Sequence, residues 1–127
     1  MKAIIDTHAF LWLIAGDRRT SQRARDIFVS PSDLLLSIAS VWEILIKAQS
    51  GKLDIPRPAG PYVLRKLADN HIEILPISID QLLALERLPL HHRDPFDRIL
   101  ISQALEENLP IVTSDRHFSR YPVEVIW

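Results

Sequence analysis

Short apolar segments alternate along this chain with longer segments of helical pattern. The apolar segments predict strands over residues 2–6, 34–38, 72–75, 110–113 and 123–126. Apolar spacing and capping residues predict helices over residues 7–15, 20–29, 39–50, 61–70, 78–88 and 95–108, the second of them ended by Ser30-Pro31. Alternation of this kind indicates βαβ units, and continuously apolar strands are typical of strands buried on both faces. The pattern predicts an α/β fold with a mostly parallel central sheet of four to five strands and helices on both faces.

Composition limits the class of protein. At 127 residues the chain is expected to form one domain, residues 1–127, and 47% hydrophobic with 24% charged residues is globular composition. The absence of cysteine excludes disulfide frameworks, thiolate metal sites and cysteine nucleophiles. No signal peptide or membrane-spanning run is recognisable, so we expect a soluble cytoplasmic protein with no membrane partner.

The distribution of basic residues modifies the first impression given by the net charge. A net charge of −1 argues against a nucleic-acid partner, but arginine outnumbers lysine 11 to 4 and flanks two of the acids discussed below. Arginine favours bidentate phosphate contacts. For Arg93, Arg98 and Arg116, phosphate contact and a solvated helix face remain equally good interpretations. The arginines between residues 18 and 25 are better interpreted as solvated.

Four acids stand in apolar company, where an unpaired carboxylate is costly to bury: Asp6, Glu43, Asp97 and Asp115. Asp6 and Asp115 each follow an apolar strand, so parallel strands would bring both to one edge of the sheet, where α/β folds bind ligands. Asp97 lies in the first turn of its helix, on the side that carries apolar residues. Glu43 is the only charged residue between positions 34 and 46. The pattern predicts that the four side chains converge.

Each acid also has a purely structural interpretation. Asp97 lies three residues after Asp94, so both could simply serve the N-terminus of a helix. Asp6 would cap the first helix, Asp115 would be a turn residue, and for both the two interpretations are about even. Glu43 would form a core salt bridge with Arg98 or Arg65, and here a site role is favoured. The structural interpretation needs all these separate explanations to hold at the same time, so a single shared site is favoured.

Convergence of four carboxylates requires a cation. Two carboxylates ~4 Å apart repel by about 4 kcal/mol at an effective dielectric of 20. With oxygen ligands only, Mg²⁺ or Mn²⁺ is the expected ion, its shell completed by water and by substrate phosphate. The chemistry that such a site supports is phosphodiester hydrolysis.

Four stretches of the sequence resemble the PIN domain, and more narrowly the VapC-like ribonuclease toxins of type II toxin–antitoxin systems. They are Ile4-Ile5-Asp6-Thr7, residues 37–44 (SIASVWEI), residues 92–104 (HRDPFDRILISQA) and Val112-Thr113-Ser114-Asp115. They occur in the family's order and span almost the whole chain. Together they are specific, although each alone is weak.

The resemblance implies a function and a set of site residues. It implies a Mg²⁺-dependent endoribonuclease, a small antitoxin partner that blocks the site, and a homodimer. It also implies an acidic cluster of Asp6, Glu43, Asp97 and Asp115, with Thr113, Ser114, Asp94 and Arg98 as candidate supporting residues. We expect Asp6 and Asp97 to be the main ligands, while Glu43 and Asp115 complete the shell or orient water.

Several residues near these motifs are assigned other roles. The metal role in the third motif is assigned to Asp97, because the spacing from Asp97 to Ala104 fits the family pattern. Asp94, three residues earlier, is interpreted as a helix cap or as a group that supports the metal ligands. The histidines beside the motifs are interpreted as surface residues: His91, His92 and His117. The tryptophans are interpreted as core or interface residues rather than base-stacking platforms: Trp12, Trp42 and Trp127.

Other functions fit parts of the pattern. A non-catalytic binding module would use the acids to hold a cation or an arginine of a partner. A phospho-acceptor receiver domain also places aspartates at strand ends, but Arg116 stands where a lysine is expected after the last functional strand. An acidic-cluster exonuclease would need more chain for its clamp.

Overall fold

The computed structural model describes residues 2–29 and 33–127. Its strands are β1 (Lys2–Ile5), β2 (Asp33–Ser37), β3 (Glu73–Leu75), β4 (Ile111–Val112) and β5 (Val125–Ile126). Its helices are α1 (Thr7–Ala15), α2 (Gln22–Val29), α3 (Ile38–Gln49), α4 (Ala59–Asp69), α5 (Ile79–Leu83) and α6 (Pro95–Glu107). The predicted helix stop at Ser30-Pro31 lies outside the described residues.

The five strands form one sheet in the order β3-β2-β1-β4-β5, and every neighbouring pair is parallel. The strand order reverses beside β1, because the chain first builds outward through β2 and β3 and then returns to the other side with β4. In parallel α/β sheets such a reversal opens a crevice at the carboxyl ends of the strands. The first and fourth strands end side by side at this crevice, with Ile5 paired to Val112.

Side chains alternate between the two faces of the sheet, and each face has its own core. Ala3 and Ile5 pack into a cluster with residues of α1, α3 and α4, whereas Ile4 packs with Leu100 and Ile101 of α6. Helices therefore cover both faces, and the predicted fold class is confirmed. In the part of the chain that the structure describes, no helix is long and apolar enough to cross a membrane.

Most element boundaries agree with the sequence prediction to within two residues, with two exceptions. The helix predicted over residues 78–88 is α5 followed by a 3₁₀ turn at Ala84–Arg87. A second 3₁₀ turn, Arg116–Arg120, was not predicted. Both turns are short segments in which the periodicity of apolar residues carries little information.

Candidate active site

Asp6 lies where β1 turns into α1 and serves two roles at once. Its Oδ1 accepts a hydrogen bond of 2.7 Å from the backbone N–H of Ala9, so it caps α1 as the structural interpretation expected. Its Oδ2 accepts a hydrogen bond from the hydroxyl of Thr113, the residue that follows β4. Only 3% of Asp6 is exposed. Burial raises its pKa above the ordinary value, and the two hydrogen bonds offset this effect only in part.

Asp115 lies next to Asp6 across the carboxyl ends of β1 and β4. Its backbone N–H donates to the Thr113 hydroxyl at 3.0 Å, and its Oδ1 accepts from the backbone N–H of His117 at 2.9 Å. Burial raises the pKa of Asp115, but hydrogen bonds from the His117 backbone and from the rings of His92 and His117 outweigh it, so the pKa lies below 3.8. Its pKa is therefore shifted in the direction opposite to that of Asp6.

Asp94 and Asp97 have different roles in the structure. Oδ1 of Asp94 accepts from the backbone N–H groups of Phe96 and Asp97, at 2.9 and 3.1 Å, so Asp94 is the N-cap of α6. Asp97 stands one turn further along, directed at the sheet edge. The pKa of Asp97 is raised to about 8, by burial first and then by the negative charges of Asp94, Asp6, Glu43 and Asp115. The predicted acids are therefore close enough to repel one another.

Glu43 reaches the same place from α3 and is 3% exposed. Its Oε2 lies 2.6 Å from Nζ of Lys47, one helical turn away, so the expected partner Arg98 or Arg65 was wrong. Lysine at i+4 of a glutamate is a favourable helical pair that the sequence already contained. Oε1 of Glu43 is buried, and no described residue gives it a hydrogen bond.

His92 is a candidate site residue that the sequence interpretation missed. We interpreted it as a surface histidine, but its Nε2 lies 3.1 Å from Oδ2 of Asp97 and 3.1 Å from Oδ2 of Asp115. His117 also contacts Asp115, at 2.9 Å from Nδ1 to Oδ1, while His91 is exposed as expected. The available signal was that His92 begins the same motif that contains Asp97.

Arg98 faces away from the carboxylates. Its Nη1 and Nη2 donate to four backbone carbonyls, those of Leu85, Leu88, Pro89 and His92. These contacts fix the segment that precedes α6, so the phosphate-contact interpretation does not fit Arg98. Arg93 and Arg116 are exposed, as is Ser114.

Two of the tryptophans occupy positions consistent with packing, and one does not. The rings of Trp12 and Trp127 contact each other with centroids 5.8 Å apart, and both are half-buried. Trp42 is 61% exposed, so a core role was wrong for it. Its ring meets Phe96 edge to face, with centroids 5.2 Å apart, beside the acids.

The acids fit a bound cation better than they fit the chain alone. Among the described residues, Lys47 is the one lysine or arginine that forms an ion pair with them, and an oxygen of Glu43 remains without a partner. Nε2 of His92 and one oxygen each of Asp97 and Asp115 lie within 4.8 Å of one another, so the two carboxylates are close enough for one ion to bridge them. The donor set is dominated by carboxylate oxygen, which suits Mg²⁺ and Mn²⁺.

Comparison with known proteins agrees with this architecture. Ribonuclease VapC22 of Mycobacterium tuberculosis is 26% identical over 128 residues, which cover 98% of this chain and 97% of that protein. Among solved structures, VapBC-1 of nontypeable Haemophilus influenzae aligns with a TM-score of 0.71 at 14% identity, over 98% of this chain and 96% of that one. VapBC2 of Rickettsia felis, bound to a DNA fragment of its promoter, aligns with a TM-score of 0.70 at 15% identity, over 98% and 97%. The sequence model of the PIN domain matches residues 3–124. Because that match spans nearly the whole chain, the protein belongs to the PIN domain family.

Proposed function

We propose that this protein is a metal-dependent endoribonuclease and the toxin of a toxin–antitoxin pair. The observation that carries the proposal is the gathering of Asp6, Glu43, Asp97 and Asp115 at the carboxyl edge of the sheet, where burial and then the charges of the neighbouring acids raise the pKa of Asp97. A relative of similar length is named a ribonuclease, and a solved structure from Klebsiella pneumoniae with a similar fold is a toxin–antitoxin complex. Its substrate would be RNA in the cytoplasm.

In this proposal Asp6 and Asp97 are the main ligands of Mg²⁺ or Mn²⁺. Glu43 offers the buried Oε1 that has no other partner, and Asp115 offers a carboxylate that is already ionised at neutral pH. A bound divalent ion supplies a Lewis acid that stabilises negative charge on the phosphate and lowers the pKa of water. An ion held there would favour the ionised form of Asp97, because its positive charge would offset the burial and the neighbouring negative charges that raise the pKa of that group.

The chain's own residues hold this arrangement in place. The hydroxyl of Thr113 orients Asp6, and the Asp94 cap fixes the first turn of α6 and with it Asp97. The hydroxyl of Thr7 donates to that of Ser40 at 2.8 Å, which ties α1 to α3 beneath Asp6 and Glu43. Carboxylates held in this way need little reorganisation when a substrate phosphate arrives, which is the condition for electrostatic catalysis.

The test is a metal-titrated cleavage assay on a mixed pool of RNA. Wild type should give internal cuts that require Mg²⁺ or Mn²⁺, while Asp6→Asn and Asp97→Asn should each lose at least 100-fold in rate, the size of effect typical for a removed electrostatic group. Asp69→Asn, an exposed acid of α4, is the matched control and should cleave like wild type. Wild-type rates in both site variants would reject the proposal, and products that shorten only from an end would indicate an exonuclease.

A protein partner and a homodimer belong to the same proposal. The exposed apolar side chains of α3 recur at helical spacing beside Glu43, and they are Ile38, Trp42, Leu45 and Ile46. Exposed apolar side chains grouped in this way are typical of interaction surfaces. The mass of the purified chain in solution tests the homodimer, and a monomer at micromolar concentration would reject it. The antitoxin is expected to suppress cleavage when added to the wild-type assay.

The alternative is a non-catalytic binding module whose acids hold a cation or an arginine of a partner. The Glu43–Lys47 pair favours this possibility to some degree, because the site already accommodates one cationic side chain. Such a module would gain thermal stability on addition of Mg²⁺ and lose that gain in Asp97→Asn, yet it would cut no RNA. The cleavage assay therefore separates the two functions.

A further inference from the structure

His92 is held in one orientation from several sides. Its backbone N–H donates to Oη of Tyr121 at 2.9 Å, and its carbonyl accepts from Nη1 of Arg98 at 3.3 Å. Its ring packs edge-on against the rings of Phe118 and His117, with centroids 5.7 Å away in both cases. Together these contacts fix the orientation of the His92 ring in the folded protein.

The ring's protonation pattern follows from one of these contacts. Nδ1 of His92 accepts a hydrogen bond of 3.2 Å from the backbone N–H of Asp94. A backbone N–H can only donate, so Nδ1 must carry a lone pair. A neutral imidazole has one N–H, which must then be at Nε2. This is the nitrogen that faces Oδ2 of both Asp97 and Asp115.

We propose that His92 is a positioning residue of the acidic site: as the Nε2–H tautomer it donates to the carboxylate of Asp115 beside Asp97 and is not itself a ligand of the cation. The inference rests on the proposed function, since it assigns His92 a role toward the same ion. The same nitrogen lies 3.1 Å from Oδ2 of Asp97, so the ring holds the oxygen of Asp115 next to that of Asp97, an arrangement that repulsion between the two ionised groups would otherwise disturb.

A direct ligand role would require the opposite tautomer. Coordination through Nε2 needs a lone pair there, which would move the proton to Nδ1 and set it against the N–H of Asp94. Two donors would then face each other. Imidazole ligands also favour zinc, copper, iron and nickel, whereas an oxygen-only set suits Mg²⁺ and Mn²⁺. A histidine kept out of the coordination shell thus preserves the selectivity of the carboxylates.

The first test needs no variant. Long-range ¹H–¹⁵N correlation spectra of the ¹⁵N-labelled protein in mildly alkaline buffer distinguish a protonated Nε2 from a protonated Nδ1. We expect the Nε2–H form without metal and again with saturating Mg²⁺. A proton on Nδ1 in either sample would overturn the proposal. The metal-free spectrum stays informative even if the protein binds no ion, so failure of the proposed function and failure of this inference can be told apart.

The second test uses two substitutions, each of which keeps one of the two hydrogen-bonding functions of the ring. His92→Gln retains an N–H donor near the position of Nε2, and His92→Asn retains an acceptor for the N–H of Asp94 but loses the distal donor. Calorimetric affinity for Mn²⁺ should fall 10–100-fold in His92→Asn, the usual range for a lost partner of a ligand, and by no more than about threefold in His92→Gln.

The control is a histidine away from the site. His71→Asn changes an exposed histidine at a left-handed backbone position that asparagine also tolerates, and it should bind Mn²⁺ like wild type. Equal, large losses in His92→Gln and His92→Asn would indicate a direct ligand, and equal wild-type affinity in both would indicate no role. Either result overturns the proposal. Circular dichroism melting curves establish that each variant is folded before its affinity is compared.

Discussion

The hydroxyl of Thr113 donates to Oδ2 of Asp6 and at the same time accepts from the backbone N–H of Asp115. Thr113 is fully buried at the end of β4 and therefore joins the two acids that end neighbouring strands. Because this hydroxyl favours the ionised form of Asp6, it opposes the effect of burial on that group's pKa. The supporting role that the sequence suggested for Thr113 has a definite geometry.

Replacement of Thr113 by valine measures how much that hydroxyl contributes to the free energy of unfolding. Thr113→Val leaves an oxygen of Asp6 and the N–H of Asp115 without their partner, so the free energy of unfolding in metal-free buffer should fall by about 1–3 kcal/mol. The pKa of Asp6 should rise further. Thr113→Ser is the matched control, since it keeps the hydroxyl and loses one methyl group at a cost of ~0.8 kcal/mol. Equal unfolding free energies for Thr113→Val and wild type would contradict the assignment.

The raised pKa of Asp97 predicts a specific pH dependence of stability in metal-free protein. The group binds its proton up to about pH 8 when folded but only to its ordinary value of 3.8 when unfolded. Between these limits the folded state holds more protons, so stability falls as pH rises through the window and the loss from this group is complete above the folded pKa. Urea unfolding at a series of pH values measures the slope.

The variant Asp97→Asn removes this contribution. Near pH 8 its free energy of unfolding should be about 1–3 kcal/mol higher than that of wild type, while near pH 4 the two free energies should be equal. Saturating Mg²⁺ should reverse the order, because only wild type gains the free energy of binding, about 2.7 kcal/mol at 100 times the dissociation constant. A metal-free Asp97→Asn that melts well below wild type would instead support a structural salt-bridge role for Asp97.

The Glu43–Lys47 pair predicts a coupling that a double-mutant cycle measures. Lys47→Met leaves the buried carboxylate of Glu43 without its cation and should lower metal-free stability by about 1–3 kcal/mol. Glu43→Gln should lose much less, and the double variant should recover most of the loss. Mg²⁺ should raise the melting temperature of Lys47→Met by more than that of wild type, since the ion replaces the missing charge. Simple additivity of the two substitutions would refute the coupling.

The fold could be predicted from the sequence because each strand is a short apolar segment with recognisable ends. The alternation of such strands with helices fixed the parallel sheet, and parallel strands brought Asp6 and Asp115 to one edge. Glu43 followed from its isolation among apolar residues, and Asp97 from its position on the apolar side of its helix. For these four the sequence pattern and the spatial arrangement agree, because the physical cost of burying a carboxylate is visible in either.

The partners of those acids were less predictable from the sequence. His92 lies in a loop between elements, where no periodicity indicates which way a ring points, and its orientation depends on Tyr121, 29 residues away. Lys47 was overlooked although it stands one turn from Glu43 on the same helix. Contacts that depend on loop geometry require the structure, whereas the i, i+4 pair could have been found by counting.

Arg98 provides the last prediction, because its structural role differs from the role its neighbours suggest. Four carbonyls of the segment before α6, including that of His92, accept from its guanidinium, and a lysine has neither the planar fork nor the reach to serve them all. Arg98→Lys should therefore lower the free energy of unfolding by about 1–3 kcal/mol, measured in urea, and weaken Mn²⁺ binding through the loosened His92. Arg93→Lys, an exposed change of the same kind, should alter stability by less than about 0.5 kcal/mol. If Arg98→Lys kept its stability while the neutral variant Arg98→Gln lowered the salt dependence of RNA binding by about one ion, Arg98 would be a phosphate contact after all.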